Sequence, residues 1–164
     1  MKKSKAFKII KDTREQNGYD FSKLDICSGM IDQKLDTGDY SIVGLEDKIC
    51  IERKGCVEEL ANNLGRKHDT FLNEIYRMTH FPHKFIILEF SLEDLLNFPD
   101  NTRISYSKLS SVKMAGKYML KCLIEFQIQY NIHVLFCGNR ENAFSAVRSI
   151  LKRINEMYTT GRTE

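Results

Sequence analysis

Residues 38–60, GDYSIVGLEDKICIERKGCVEEL, alternate like a buried hairpin yet carry Asp39, Glu52, Arg53, Lys54 and Glu58. Charges are costly to bring against a protein core, so a stretch of this kind that keeps these residues needs a reason. Residues 40–43 and 48–53 are β-type runs around a turn at GLED, and a second turn, DTGD, joins them to residues 30–35. The three runs read as a β-meander. Side chains on a strand alternate faces with period two, so Glu52 and Lys54 point one way and Arg53 the other. Twelve residues separate Asp39 from Glu52. That is short enough for a hairpin to bring both carboxylates to one sheet edge.

Outward from this hairpin, residues 7–11 (FKIIK) form a weakly alternating strand that ends in DTREQNG, presenting Asp12, Arg14 and Glu15 before a turn at Asn17 and Gly18. After Gly55 the pattern turns helical, with Val57, Leu60, Ala61 and Leu64, then Phe71, Leu72, Ile75 and Met78. HKFIILEF, bounded by Pro82 and SLED, and IHVLFCG from Ile132 are unbroken apolar runs of the kind that both faces of a sheet cover. Between them the pattern predicts a helix over 107–130. Val112, Ala115, Met119, Cys122 and Phe126 lie on one side of it and Leu120, Leu123 and Ile124 on another. A last helix is predicted over 142–158. The order, roughly βββ, α, β, α, β, α, predicts an α/β fold with a mixed central sheet flanked by helices.

At 164 residues, 42% hydrophobic and 29% charged, the chain suits one domain over 1–164, with an ordered core over about 6–158 between a basic start and a polar end. Two prolines, nine glycines and no linker-like or repetitive stretch mark no internal boundary. No window has the length of uncharged apolar sequence that export or membrane insertion needs, so the cytoplasm is the expected compartment. The five cysteines are odd in number and form no C-x-x-C, which argues against a disulfide framework or zinc knuckle and for small reduced hydrophobes. His80 and His83, separated by Pro82 and without a partner pair, read as loop residues rather than metal ligands. The net charge of +3, from 25 Lys and Arg against 22 Asp and Glu, is too balanced to identify a nucleic-acid binder by itself.

Two carboxylates and an amine at one sheet edge suit a hard divalent ion. Mg²⁺ accepts one or two carboxylates, keeps several waters and takes further ligands from phosphate oxygens, so the D…ExK set is a minimal phosphodiester-cleaving site. Lys54 would orient or deprotonate the attacking water, or offset charge developing on the phosphate. The plainer reading makes Glu52 and Lys54 a solvated pair and Asp39 a turn former. Asp12 adds a third acidic residue at a strand end, and Glu58 falls at the start of the predicted helix, where a carboxylate also suits the helix dipole.

KDTREQ (11–16), GDY (38–40), IERK (51–54), NNLGR (62–66) and FIILEF (85–90) resemble, in the same order, the nuclease domain of the XPF family of structure-selective DNA endonucleases. The resemblance spans residues 7–90, about half the chain. It implies a restriction-endonuclease-like fold in which Asp39 and Glu52 hold a catalytic Mg²⁺ or Mn²⁺, Asp12 completes the acidic cluster, and Lys54 assists the water. Arg14 and Arg53 are implied as charge partners or phosphate contacts, with Glu15 in support. Where the family places an Asp after ERK and three further residues, this chain has Glu58. The tandem helix-hairpin-helix module usual in the family is not expected here.

The resemblance also implies dimerisation, for which the apolar faces of the last two helices are available, or a targeting partner protein. Those faces read equally well as core. For DNA contact the candidates are Arg66 and Lys67, and a stripe of Lys113, Lys117 and Lys121, with Arg148, Lys152 and Arg153 on the last helix; the commoner explanation for such residues is solvated surface. Tyr40 and Tyr76 fit either DNA contact or packing. The expected function is a metal-dependent endonuclease on branched, flap or otherwise structured DNA, in the setting of a virus or mobile element or of DNA repair or recombination. The alternative is a catalytically inactive DNA-binding or dimerisation subunit.

Overall fold

The computed structural model describes residues 6–100 and 114–160. Strands β1 (Phe7–Lys11), β2 (Cys27–Asp32), β3 (Tyr40–Ile42), β4 (Ile49–Lys54), β5 (His83–Leu88) and β6 (His133–Phe136) form one sheet in the order β2-β1-β3-β4-β5-β6. Helices α1 (Val57–Leu64), α2 (His68–Met78), α3 (Leu92–Leu96), α4 (Gly116–Tyr130) and α5 (Arg140–Thr160) cover it. β1–β2, β4–β5 and β5–β6 are parallel, while β1–β3 and β3–β4 are antiparallel. The sheet is mixed, as the element order predicts.

The expected meander is corrected by this order, because β2 pairs with β1 and β1 lies between it and β3. The physical reason lies in burial. Ile9 and Ile10, on opposite faces of β1, are both fully buried, so β1 takes an interior place. β2 holds only half-buried and exposed residues and suits an edge. The helical stretch after Gly55 is two helices, broken at residues 65–67. Of the helix expected over 107–130, the first part lies outside the described residues, and α4 starts at Gly116. SLED, read above as the end of a strand, starts α3 with a capping box. Ser91 Oγ accepts the Asp94 N–H at 3.0 Å, and the Asp94 carboxylate accepts the Ser91 N–H at 2.8 Å.

Alternation along the strands splits the apolar residues into two cores. One face of the sheet (Cys50, Ile86, Leu88) packs on Leu60 and Leu64 of α1, Phe71, Ile75 and Met78 of α2, Leu95 of α3, and Met119, Leu123 and Phe126 of α4. The other face (Ile9, Tyr40, Ile42, Ile49, Ile51, Ile87) packs on Ala143, Val147, Leu151 and Ile154 of α5, and on Tyr19, Phe21 and Ile26 of the β1–β2 connection. The apolar side of α5 is therefore spent on the core. Each fully buried isoleucine contributes roughly 1.5–3 kcal/mol, which fixes the strand register that places the charged residues described next.

Candidate active site

Lys11 stands opposite Tyr40, and Tyr40 opposite Ile51, so one step further out Asp12, Asp39 and Glu52 form a row across β1, β3 and β4. The ladder continues into that row, with Asp12 N–H donating to Asp39 O at 2.8 Å and Asp39 N–H to Ile51 O at 2.7 Å. All three line one polar cavity of about 390 Å³. Arg14, Glu15, Gln16 and Asn17 of the loop after β1 close one side of it, and Glu59 of α1 and Glu74 of α2 another. Gly38 admits the close approach here. Its φ is +81°, and a Cβ there would stand 2.6 Å from Cys50 Sγ.

The three acids differ in environment. Asp12 Oδ1 accepts the Arg14 backbone N–H at 2.8 Å and Arg14 Nε at 2.7 Å; Oδ2 accepts Arg14 Nη2 at 3.0 Å and the Leu35 N–H at 2.6 Å. Burial would raise its pKa, but the Arg14 and Leu35 bonds outweigh it and hold the carboxyl below its ordinary value. Asp39 accepts one hydrogen bond, from the Arg53 N–H to Oδ2 at 2.7 Å, and burial together with the Glu52 charge pushes it well above the carboxylate range. Burial raises Glu52 to about 7; Lys54 opposes the rise and Glu74 adds to it. Lys54 is 4% exposed, with Nζ 2.6 Å from Glu52 Oε1, 3.8 Å from Glu59 Oε1 and 4.9 Å from the Phe71 ring centre. Burial alone would lower its pKa, but Glu52, then Glu59 and Glu74, raise it, so it stays an ammonium.

Arg53 leaves the opposite face of β4, as period two requires, and donates to Glu89 at 2.6 Å and Glu15 at 3.3 Å. Glu58 is exposed on the first turn of α1 and does not line the cavity, whereas its neighbour Glu59 does. Arg66, Lys67 and Lys117 are exposed, and Lys113 lies outside the described residues. Tyr40 is fully buried, with its hydroxyl accepting the Tyr19 N–H, so it packs rather than contacts a ligand, while Tyr76 is exposed. Of the five free cysteines Cys56 is exposed, unlike the small hydrophobe expected.

Glu59, Glu74 and Glu89 went unassigned in the sequence. Glu74 follows Phe71 by three on α2, so it sits beside the apolar stripe that packs under Lys54; that spacing was the available signal.

As to a cation, no three His, Cys, Asp or Glu side chains among the described residues lie in ligating geometry. Two carboxylates do fit one. Asp39 and Glu52 face one cavity, and burial and like charge make the ionised form of each unfavourable, a cost that a divalent ion with its own waters would relieve.

A mixed six-stranded sheet with flanking helices, carrying a row of acids across adjacent strands, defines the chain as an α/β domain with a polar site at one sheet end. The ERCC4 domain matches residues 12–150, and the chain belongs to that family. Among solved structures, it is similar to XPF from Aeropyrum pernix, with a TM-score of 0.60 and 21% identity over 90% of this chain and 60% of that one. It is also similar to XPF from Aeropyrum pernix in complex with DNA, with a TM-score of 0.59 and 22% identity over 96% of this chain and 68% of that one. The chain thus spans about three fifths to two thirds of those structures. No curated protein matches it. No helix among the described residues is long and apolar enough to cross a membrane.

Proposed function

We propose that the chain is a divalent-metal-dependent DNA endonuclease acting on branched, flap or otherwise structured DNA. The observation that carries this reading is the pairing of Asp39 and Glu52 in one solvent-reached cavity beside a buried Lys54 whose Nζ lies 2.6 Å from Glu52. Membership of the ERCC4-domain family and likeness to an XPF structure in complex with DNA support DNA as the substrate.

Asp39 and Glu52 would hold Mg²⁺ or Mn²⁺, which when bound supplies an acidified water and positive charge for the scissile phosphate. Lys54, whose ammonium form the Glu52 carboxylate favours, would orient that water and offset charge developing on the phosphate. Asp12, with both oxygens engaged by Arg14 and Leu35, serves to position rather than to ligate. Arg14, 59% exposed at the cavity rim, is available to a phosphate. Arg66 and Lys67 before α2, with Lys117, are the next phosphate contacts. The protein acts as a homodimer through α4, where Tyr118, Ile124 and Ile128 are exposed.

The test is cleavage of labelled linear, flap and forked DNA in Mg²⁺, Mn²⁺ or EDTA. Asp39→Ala, Glu52→Ala and Lys54→Ala should each lose at least about 100-fold in rate, the equivalent of several kcal/mol of transition-state stabilisation. Cleavage that survives all three substitutions would overturn the assigned site. DNA binding without cleavage in any metal would identify a non-enzymatic subunit instead.

A further inference from the structure

The Asp39 carboxylate is oriented by the backbone N–H of Arg53, 2.7 Å from Oδ2. On the other face of β4 the Arg53 side chain donates from Nε to Glu89 Oε1 at 2.6 Å. The same oxygen accepts the Tyr19 hydroxyl at 2.6 Å and Arg140 Nη1 at 3.2 Å. Tyr19 in turn donates its N–H to the Tyr40 hydroxyl at 2.7 Å, and Tyr40 follows Asp39 in the chain. These bonds close a circuit that leaves Asp39 through Arg53, passes Glu89 and Tyr19, and returns through Tyr40. Arg140, the first residue of α5, locks it from outside: Nη2 donates to Gly18 O at 2.9 Å, and the guanidinium lies 4.8 Å from the Tyr19 ring centre.

We propose that Glu89 is a positioning residue for the Asp39 carboxylate, and that Arg140 is the latch by which α5 holds Glu89 and Tyr19 in place. The proposal rests on the reading of Asp39 as a cation ligand. One guanidinium already neutralises Glu89, whose side chain is 7% exposed, so the second cation and the hydroxyl on the same oxygen fix its orientation rather than its charge. Burying such a network is a poor route to stability compared with apolar packing of equal volume. Orientation of a ligand from behind is the service it can render, and groups of this kind change metal affinity or activity by roughly 10- to 100-fold when removed.

The experiment compares the full chain with Glu89→Gln, Tyr19→Phe, Arg140→Met and Arg140→Lys. Mn²⁺ affinity is read from the electron-spin resonance of free Mn²⁺, DNA affinity in EDTA, kcat and KM on flap DNA, and folding by thermal melt. Glu89→Gln should weaken Mn²⁺ binding roughly 10-fold and lower kcat with KM for DNA little changed. Arg140→Met should move both in the same direction by less, with Arg140→Lys restoring part of the loss. Tyr19→Phe removes one hydroxyl and keeps the ring, so it tests the circuit even if Glu89→Gln fails to fold. Folded variants that keep wild-type Mn²⁺ affinity and kcat overturn the proposal, as does a loss confined to DNA affinity in EDTA. A wild type that binds Mn²⁺ but cuts no DNA removes the nuclease reading and leaves the Mn²⁺ comparison decisive; a wild type that takes up no Mn²⁺ overturns both.

Discussion

Glu52 shows at the scale of one residue how burial is turned into a pH response. In the cation-free protein its pKa lies near 7, above the ordinary 4.5, so between those values the folded state keeps a proton that the unfolded chain has released. Stability from this group is therefore present at low pH and lost as pH rises through about 7, with an upper bound of about 3 kcal/mol. In EDTA the melting temperature should fall between about pH 5.5 and pH 8, and Mn²⁺ should restore more at the higher pH, where the carboxylate is ionised to receive it. Calorimetry with and without Mn²⁺ checks this, and Glu52→Gln should flatten the slope. Gly38 tests the neighbouring carboxylate. Gly38→Ala would force a Cβ to 2.6 Å from Cys50 Sγ at φ +81°, costing about 1–3 kcal/mol in chemical denaturation and weakening Mn²⁺ binding through the shifted Asp39.

At the scale of elements, Gly116 opens α4 against the last residues of α3. A Cβ there would stand 1.9 Å from Leu95 O, backbone that cannot swing aside, so Gly116→Ala should cost at least about 2 kcal/mol and lower the melting temperature without changing DNA affinity. Nothing in the pattern around Gly116 announced this contact, because it joins two helices far apart in sequence. Local signals did better. The parity of Glu52, Arg53 and Lys54 on β4 was readable from alternation alone, and β5 from its unbroken apolar run; β6, expected to be covered on both faces, instead lies at the sheet edge with His133 and Leu135 exposed. What alternation could not supply was the neighbour of each strand. Turn chemistry at DTGD made residues 30–35 look like the partner of β3, whereas β1, with Ile9 and Ile10 buried on its two faces, took that interior place and left β2 at the edge. Glu59 and Glu74 escaped for the same reason, since the approach of Glu59 to Lys54 and of Glu74 to Glu52 depends on how two helices dock on one sheet face.

For the whole molecule the sheet acts as a partition. One side carries the acids and Lys54 against α1 and α2; the other carries Arg53, Glu89 and Tyr19 against α5. The two last helices differ accordingly. Both offered apolar faces for self-association, but that of α5 is buried at Ala143, Val147, Leu151 and Ile154, while α4 keeps Ile124 and the 78% exposed Ile128 one turn apart. If α4 is the contact between copies, Ile124→Lys with Ile128→Lys should halve the mass seen by sedimentation while the melting temperature changes little. The alternation of β4 also bears on which length changes the chain can absorb. An insertion of one residue between Ile49 and Glu52 would send Glu52 and Lys54 to the α5 side and bring Arg53 among the acids, so β4 should accept substitution but no change of length. The exposed turn at Gly44 faces no such limit, and sequence drift by insertion should collect there.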